Sequence, residues 1–116
     1  MAYDTYLLDQ AVKQRPHRLE RERKEILTSV LRFLDEFGPE YCVDRAIIFG
    51  SLVAPKRFHE GSDVDIAVEN IEPAAFFNLM AALSLALGRE VDLVDLTRCH
   101  FADRIRETGE EWTRKR

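Results

Sequence analysis

The sequence predicts an α/β (α+β) fold, a small mixed β-sheet flanked by helices. Three short runs rich in alternating or β-branched residues, 43–49, 63–68 and 90–95, read as strands. Two longer stretches, 19–37 and 73–87, carry apolar residues at helical spacing. The second of these lies between two strands, and a strand-helix-strand crossover joins parallel strands.

Taken in order, Leu7, Leu8, Ala11 and Val12 recur at helical spacing and predict a short N-terminal helix. Pro16 suits the first turn of a second, longer helix. Leu19, Arg23, Ile26, Leu27, Val30, Phe33, Leu34 and Phe37 mark one face of it, and Gly38-Pro39 ends it. Val43 to Phe49 is the first core strand, closed by Gly50. The stretch from Leu52 to Glu60 contains Pro55 and has no period; a short helical turn opens at Gly50-Ser51. In Asp63 to Val68 the residues Val64, Ile66 and Val68 share one face, and Asp63, Asp65 and Ala67 the other. Pro73 opens a helix with Phe76, Phe77, Leu79, Met80, Leu83 and Leu87 largely buried, and Gly88 stops it. Glu90 to Asp95 is a third strand with Asp92 opposite Val91 and Leu93. Thr97 is the expected N-cap of a last helix ending near Gly109, and Asp95 marks the strand end or helps cap that helix.

The chain of 116 residues is one domain's worth, with an expected helical segment at 1–38 and a catalytic core at 43–108. Its composition, 46% hydrophobic and 33% charged, excludes a disordered chain. A formal net charge of −4 does not favour nucleic acid as a partner. The charge is uneven: Lys13, Arg15, Arg18, Arg21, Arg23 and Lys24 face only Glu20 and Glu22 in the same stretch. That run, like the terminal Arg114-Lys115-Arg116, is either a solvated surface or a docking surface for an acidic partner. Cys42 and Cys99 form neither a disulfide framework nor a zinc site and suit a reducing cytoplasm. Residues 1–10 lack the apolar core of a signal peptide. Leu79 to Leu87 is too short to span a bilayer, so the expectation is a cytoplasmic protein without a membrane partner.

Aspartate is disfavoured in strands, so Asp63 and Asp65 on one strand face need a reason, and Asp92 repeats the anomaly. Neighbouring carboxylates repel unless one is protonated or a cation lies between them. Hard oxygen ligands suit Mg²⁺ or Mn²⁺. Gly50-Ser51 after a buried strand offers a tight turn, backbone N–H groups and a hydroxyl for phosphates. If the strand from Val43 runs antiparallel to the other two, Gly50, Ser51, Asp63, Asp65 and Asp92 all meet at one sheet edge. A phosphate-cradling turn beside a metal site equips a chain for phosphoryl or nucleotidyl transfer. The bland alternatives are a plain Gly-Ser turn, an Asx turn at Ser62-Asp63 and solvent-facing strand positions. P-loop and dinucleotide fingerprints are absent, as is a G-x-S-x-G elbow around Ser51. His17, His59 and His100 are too scattered for a metal cluster, and His59 reads as a surface histidine in the loop.

The pattern Gly50-Ser51, a loop, Ser62-Asp63-Val64-Asp65-Ile66 and a lone Asp92 in a third strand resembles the DNA polymerase β-like nucleotidyltransferases. More narrowly it is similar to the minimal nucleotidyltransferases, often the antitoxin partners of HEPN-domain toxins. The resemblance covers about residues 43–108. It implies that Gly50 and Ser51, with Ser62, bind the nucleotide triphosphate. It implies that Asp63 and Asp65 ligate both metals or the nucleotide metal, and that Asp92 completes the site. Asp92 is also a candidate acceptor of the attacking hydroxyl's proton. The implied activity is Mg²⁺- or Mn²⁺-dependent transfer of AMP from ATP to a hydroxyl, a tyrosine being one candidate, on a HEPN-type toxin in a hetero-oligomer.

The chain departs from the family pattern in one place. Leu52-Val53-Ala54-Pro55 stands where many relatives have a residue followed by Ala-Arg-Gly. The gap between Ser51 and Asp63, residues 52–62, is one longer than the common spacing. Lys56 or Arg57 is then the candidate replacement for the missing arginine. The rival expectation is a binding module that neutralises its partner by occlusion, with a vestigial acidic site and the basic helix as its working surface. Transfer to a small molecule such as an aminoglycoside needs a second substrate lobe for which the chain has little material.

Overall fold

A computed structural model describes residues 5–115, with side chains from Gln14 onward. Helix α1 runs from Thr5 to Phe37 as one continuous element. The two-helix expectation is therefore corrected: Pro16 lies inside α1 rather than at the start of a second helix. Proline removes one ladder hydrogen bond, but the Gln, Lys, Arg and Glu around it are good helix formers. The side chains of Leu7, Leu8, Ala11 and Val12 lie outside the described residues. At 1.5 Å per residue the helix is about 50 Å long, which explains the 63 × 27 × 24 Å dimensions of the molecule.

After α1 come β1 (Arg45–Phe49), β2 (Val64–Val68), α2 (Pro73–Leu87), β3 (Val91–Asp95), α3 (Ala102–Thr108) and β4 (Glu110–Thr113). The sheet order is β3-β2-β1-β4. β2 and β3 are parallel, as the crossover reasoning requires; β1 is antiparallel to both β2 and β4, which meets the condition for Gly50 and Ser51 to reach the edge of the aspartates. Strand β4 was not foreseen. Trp112 is its one large apolar residue, and charged neighbours give it no hydrophobic run. It is an edge strand of the kind that charge protects from further pairing.

The two sheet faces have different roles. Ala46, Ile48, Val64, Ile66, Val68, Val91 and Leu93 belong to the main core with Val30, Phe33 and Leu34 of α1 and Leu79 and Leu83 of α2. Leu34, Ile48, Ile66, Leu79 and Leu83 are completely buried, each contributing about 1.5–3 kcal/mol of transfer free energy. Trp112 joins this core, and its indole Nε1 donates to Asp35 Oδ1 of α1 at 2.8 Å. A smaller cluster on the opposite face contains Ile47, Ala67, Leu96 and Ile105 of α3. Because α3 has only seven residues, it covers part of that face and leaves the strand ends open.

The last helix is also corrected in its start. Asp95 Oδ1 accepts from the Thr97 amide at 3.0 Å and its hydroxyl at 2.7 Å, capping a short 3₁₀ turn, Leu96–Arg98. Helix α3 begins only after that turn, so Thr97 does not cap it. No described helix is long and apolar enough to cross a membrane.

Candidate active site

Strand register brings the suspicious residues to one edge. Phe49 pairs with Asp65 across β1 and β2, and Asp65 pairs with Asp92 across the parallel β2 and β3. Hydrogen-bonded strands lie about 4.8 Å apart, so Asp65 and Asp92 are direct neighbours on the α3 side of the sheet. Asp63 lies immediately before β2, near enough for its charge to act on Asp65. Asp63 and Asp92 are exposed and Asp65 is half-buried.

Gly50 follows Phe49 and adopts φ +76, a left-handed conformation that favours glycine. It opens a 3₁₀ turn, Gly50–Val53, and a Cβ at this position would collide with Asp65 Oδ2. The Gly-Ser turn thus rests directly against the second aspartate. Leu52 anchors the turn by complete burial in the core.

Burial, followed by the charges of Asp92 and Asp63, raises the Asp65 carboxyl to about 6, with Arg57 acting in the opposite direction. The ordinary value is 3.8. The folded chain therefore binds a proton more readily than the unfolded chain between these values. This group's stabilising contribution is full below pH about 4 and is lost as pH rises through about 6. In metal-free buffer, the gain in melting temperature of Asp65→Asn over the parent is expected to be larger at pH 7 than at pH 5. A gain that does not change with pH across that range would refute the raised Asp65 carboxyl and the burial and repulsion assigned to it.

A cleft of about 360 Å³ opens beside Asp65, lined by Phe49, Gly50, Arg57, Phe101, Arg104, Ile105 and Thr108. Of the two candidate replacements for the missing arginine, Arg57 lines this cleft, whereas Lys56 lines a separate one with Arg15 and Leu19 of α1. Arg104 was not foreseen, because a surface arginine on a short helix carries no signal until α3 is placed over the sheet.

Ser62 is buried, and its hydroxyl accepts the His59 amide at 2.9 Å while its own amide donates to the His59 carbonyl at 3.0 Å. His59 is exposed and its Nδ1 accepts the Gly61 amide at 3.1 Å. Together they form a closed turn that delivers Asp63.

Among the described residues, no three carboxylate, histidine or cysteine side chains close around a single metal-sized point. Asp65 and Asp92 nevertheless meet the chemical requirement for a hard cation: two adjacent carboxylates whose mutual repulsion is felt in the Asp65 shift. The basic run on α1 is not a free surface throughout. Arg23 is buried against Glu20, Lys24 lies near Glu20, and Arg18 near Glu60.

Solved structures share this fold. The crystal structure of a toxin-antitoxin with AMP-PNP superposes with TM-score 0.58 at 26% identity, covering 76% of this chain and 73% of that one. The toxin-antitoxin MntA-HepT gives TM-score 0.54 at 24% identity over 78% and 72% of the two chains. A structure provisionally named a minimal nucleotidyltransferase gives 0.56 at 21% identity over 82% and 93%. At the two lower identities the likeness is one of fold. No curated protein sequence matches the chain. The sequence profile of the family Polymerase beta, Nucleotidyltransferase matches residues 34–114. That span takes in all four strands, α2, α3 and each aspartate of the shared edge, and the chain accordingly belongs to the Polymerase beta nucleotidyltransferase family, with the fold of its minimal members.

Proposed function

We propose that this protein transfers AMP from ATP to a hydroxyl of a partner protein, a HEPN-type toxin for which it acts as antitoxin. The observation that carries the reading is the cross-strand pair Asp65 and Asp92 beside the Gly50 turn and a cleft containing Arg57 and Arg104. The likeness to a toxin-antitoxin crystallised with AMP-PNP supports both an adenine nucleotide and a toxin partner.

Asp63, Asp65 and Asp92 are the residues to hold Mg²⁺ or Mn²⁺. When bound, the metal supplies positive charge for the phosphates and lowers the pKa of the attacking hydroxyl. Gly50 and Ser51 present a turn and a hydroxyl to the triphosphate, and Ser62 shapes the turn behind it. Arg57 and Arg104 line the same cleft as Asp65, and their guanidinium groups suit phosphate oxygens. In the transfer, the acceptor oxygen bonds to the α-phosphorus and the bond to the bridging oxygen of the β-phosphate breaks. Pyrophosphate leaves, and the hydroxyl proton passes to Asp92 or solvent.

Intact-mass spectrometry of the toxin after incubation with the chain, ATP and Mg²⁺ tests the proposal. A gain of one or more AMP units, absent with Asp63→Asn/Asp65→Asn, is expected. The open arrangement of the three aspartates and the Leu52–Pro55 departure favour a second reading, neutralisation by occlusion. A stable complex with no mass gain, and neutralisation unaffected by the double substitution, would establish that reading instead.

A further inference from the structure

The loop from Gly50 to Ser62 carries the Gly-Ser turn at one end and delivers Asp63 at the other. It contains two short 3₁₀ turns and pairs with no strand among the described residues. Two arginines hold it from outside. Arg23 of α1 is 9% exposed, and its Nη1 donates to the Leu52 carbonyl at 2.8 Å. Its Nε and Nη2 fork onto Glu20 at 2.9 and 2.6 Å. Arg89, just after α2, acts on the other end: Nη2 donates to the carbonyls of Glu60 at 3.0 Å and Ser62 at 2.9 Å. Its Nη1 donates to Glu22 Oε1 at 2.9 Å, and its guanidinium lies 5.8 Å from the centre of the buried Phe58 ring.

Both anchoring carboxylates, Glu20 and Glu22, belong to α1. They and Arg23 lie before residue 34, outside the span that matches the family. Loop carbonyls facing water need no protein partner, and burying a guanidinium is costly unless its donors are satisfied. Here the donors are spent on three backbone carbonyls of a single loop, at both of its ends. The fixed guanidinium fork can serve a carboxylate and carbonyls together, which a lysine ammonium does poorly.

We propose that Arg23 and Arg89, anchored by Glu20 and Glu22, form a clamp through which α1 positions the loop carrying Ser51 and Asp63. The clamp's effect on transfer rests on the nucleotidyltransferase reading; its effect on the loop does not. Arg23 and Arg89 are positioning residues and touch no substrate.

The test uses the full chain with Arg89→Lys, Arg89→Met and Arg23→Met. Amide hydrogen exchange is read separately for loop residues 52–62 and for the β1–β2 ladder. Mn²⁺ affinity is read by electron paramagnetic resonance, and kcat and KM for ATP from AMP transfer. Outer-shell residues of metal sites typically contribute about 10- to 100-fold in affinity or activity. Both Arg89 variants are expected to stay folded, exchange faster in the loop alone, and lose about tenfold in Mn²⁺ affinity and in kcat with KM for ATP little changed. Loop exchange unchanged in folded variants, or rising equally in the ladder, would overturn the clamp. Arg89→Lys matching the parent in loop exchange and Mn²⁺ affinity would overturn the role of the guanidinium fork. If Arg89→Met unfolds the chain, Arg89→Lys and Arg23→Met carry the same comparison. A parent chain that neither binds Mn²⁺ nor transfers AMP overturns the nucleotidyltransferase reading instead, and faster loop exchange in the variants would still establish the clamp.

Discussion

Asp65→Asn is expected to lower AMP transfer by at least about a thousandfold, or about 4 kcal/mol of barrier at 1.36 kcal/mol per factor of ten. The chain should remain folded. Asp65 touches both neighbours that matter: it pairs with Asp92 across β3 and sits under Gly50 at the end of β1. Asparagine keeps the shape but removes the charge that a hard cation needs. It also removes the ionisation that burial, with the charges of Asp92 and Asp63, makes costly and that lifts the Asp65 carboxyl to about 6, so the variant should melt higher than the parent in neutral metal-free buffer. A variant that is more stable and inactive marks a charge retained for chemistry at the expense of the fold. Measured kcat/KM and melting temperature decide the matter together. Transfer within tenfold of the parent would remove Asp65 from the catalytic set, whatever its effect on stability.

Strands β1, β2 and β3 were legible because each carries its own local pattern. In β2, Val64, Ile66 and Val68 are buried in the main core, as their alternation implies. Glycine after α2 has φ +61 and closes the helix where the sequence places its end. The sheet edge that collects the aspartates followed from connection rules alone, since a crossover fixes β2 and β3 as parallel. What stayed hidden depends on partners far along the chain. Trp112 defines β4 only through its burial against α1 and its bond to Asp35, 77 residues away. Arg89 reaches back 67 residues to Glu22, and Arg23 forward 29 to Leu52. In sequence Arg23 falls both on the apolar face of its helix and in the basic run, and Arg89, between a helix and a strand, carries no local signal. Pro16 misled for the opposite reason: a strong local signal was overridden by good helix formers on both sides.

Gly50→Ala is expected to damage both stability and transfer, and a second substitution separates the two causes. An alanine held at φ +76 carries a left-handed backbone cost of about 1–2 kcal/mol. Its Cβ would also collide with Asp65 Oδ2, so the carboxylate or the turn must move. Moving the carboxylate takes it away from its place beside Asp92; moving the turn displaces Ser51, the residue proposed to meet the triphosphate. Either outcome costs transfer beyond what reduced stability explains, because the assay can be run at temperatures where the variant is fully folded. In an Asp65→Ala background the collision disappears and only the backbone cost remains. Equilibrium denaturation of the four chains in this cycle should give a coupling energy of about 1 kcal/mol or more, typical of residues in contact. Additive effects of the two substitutions would mean that the Gly50 turn and Asp65 do not press on one another. The turn's glycine would then serve backbone conformation alone, and the close packing of the Gly50 turn on the Asp65 carboxylate would have no energetic weight.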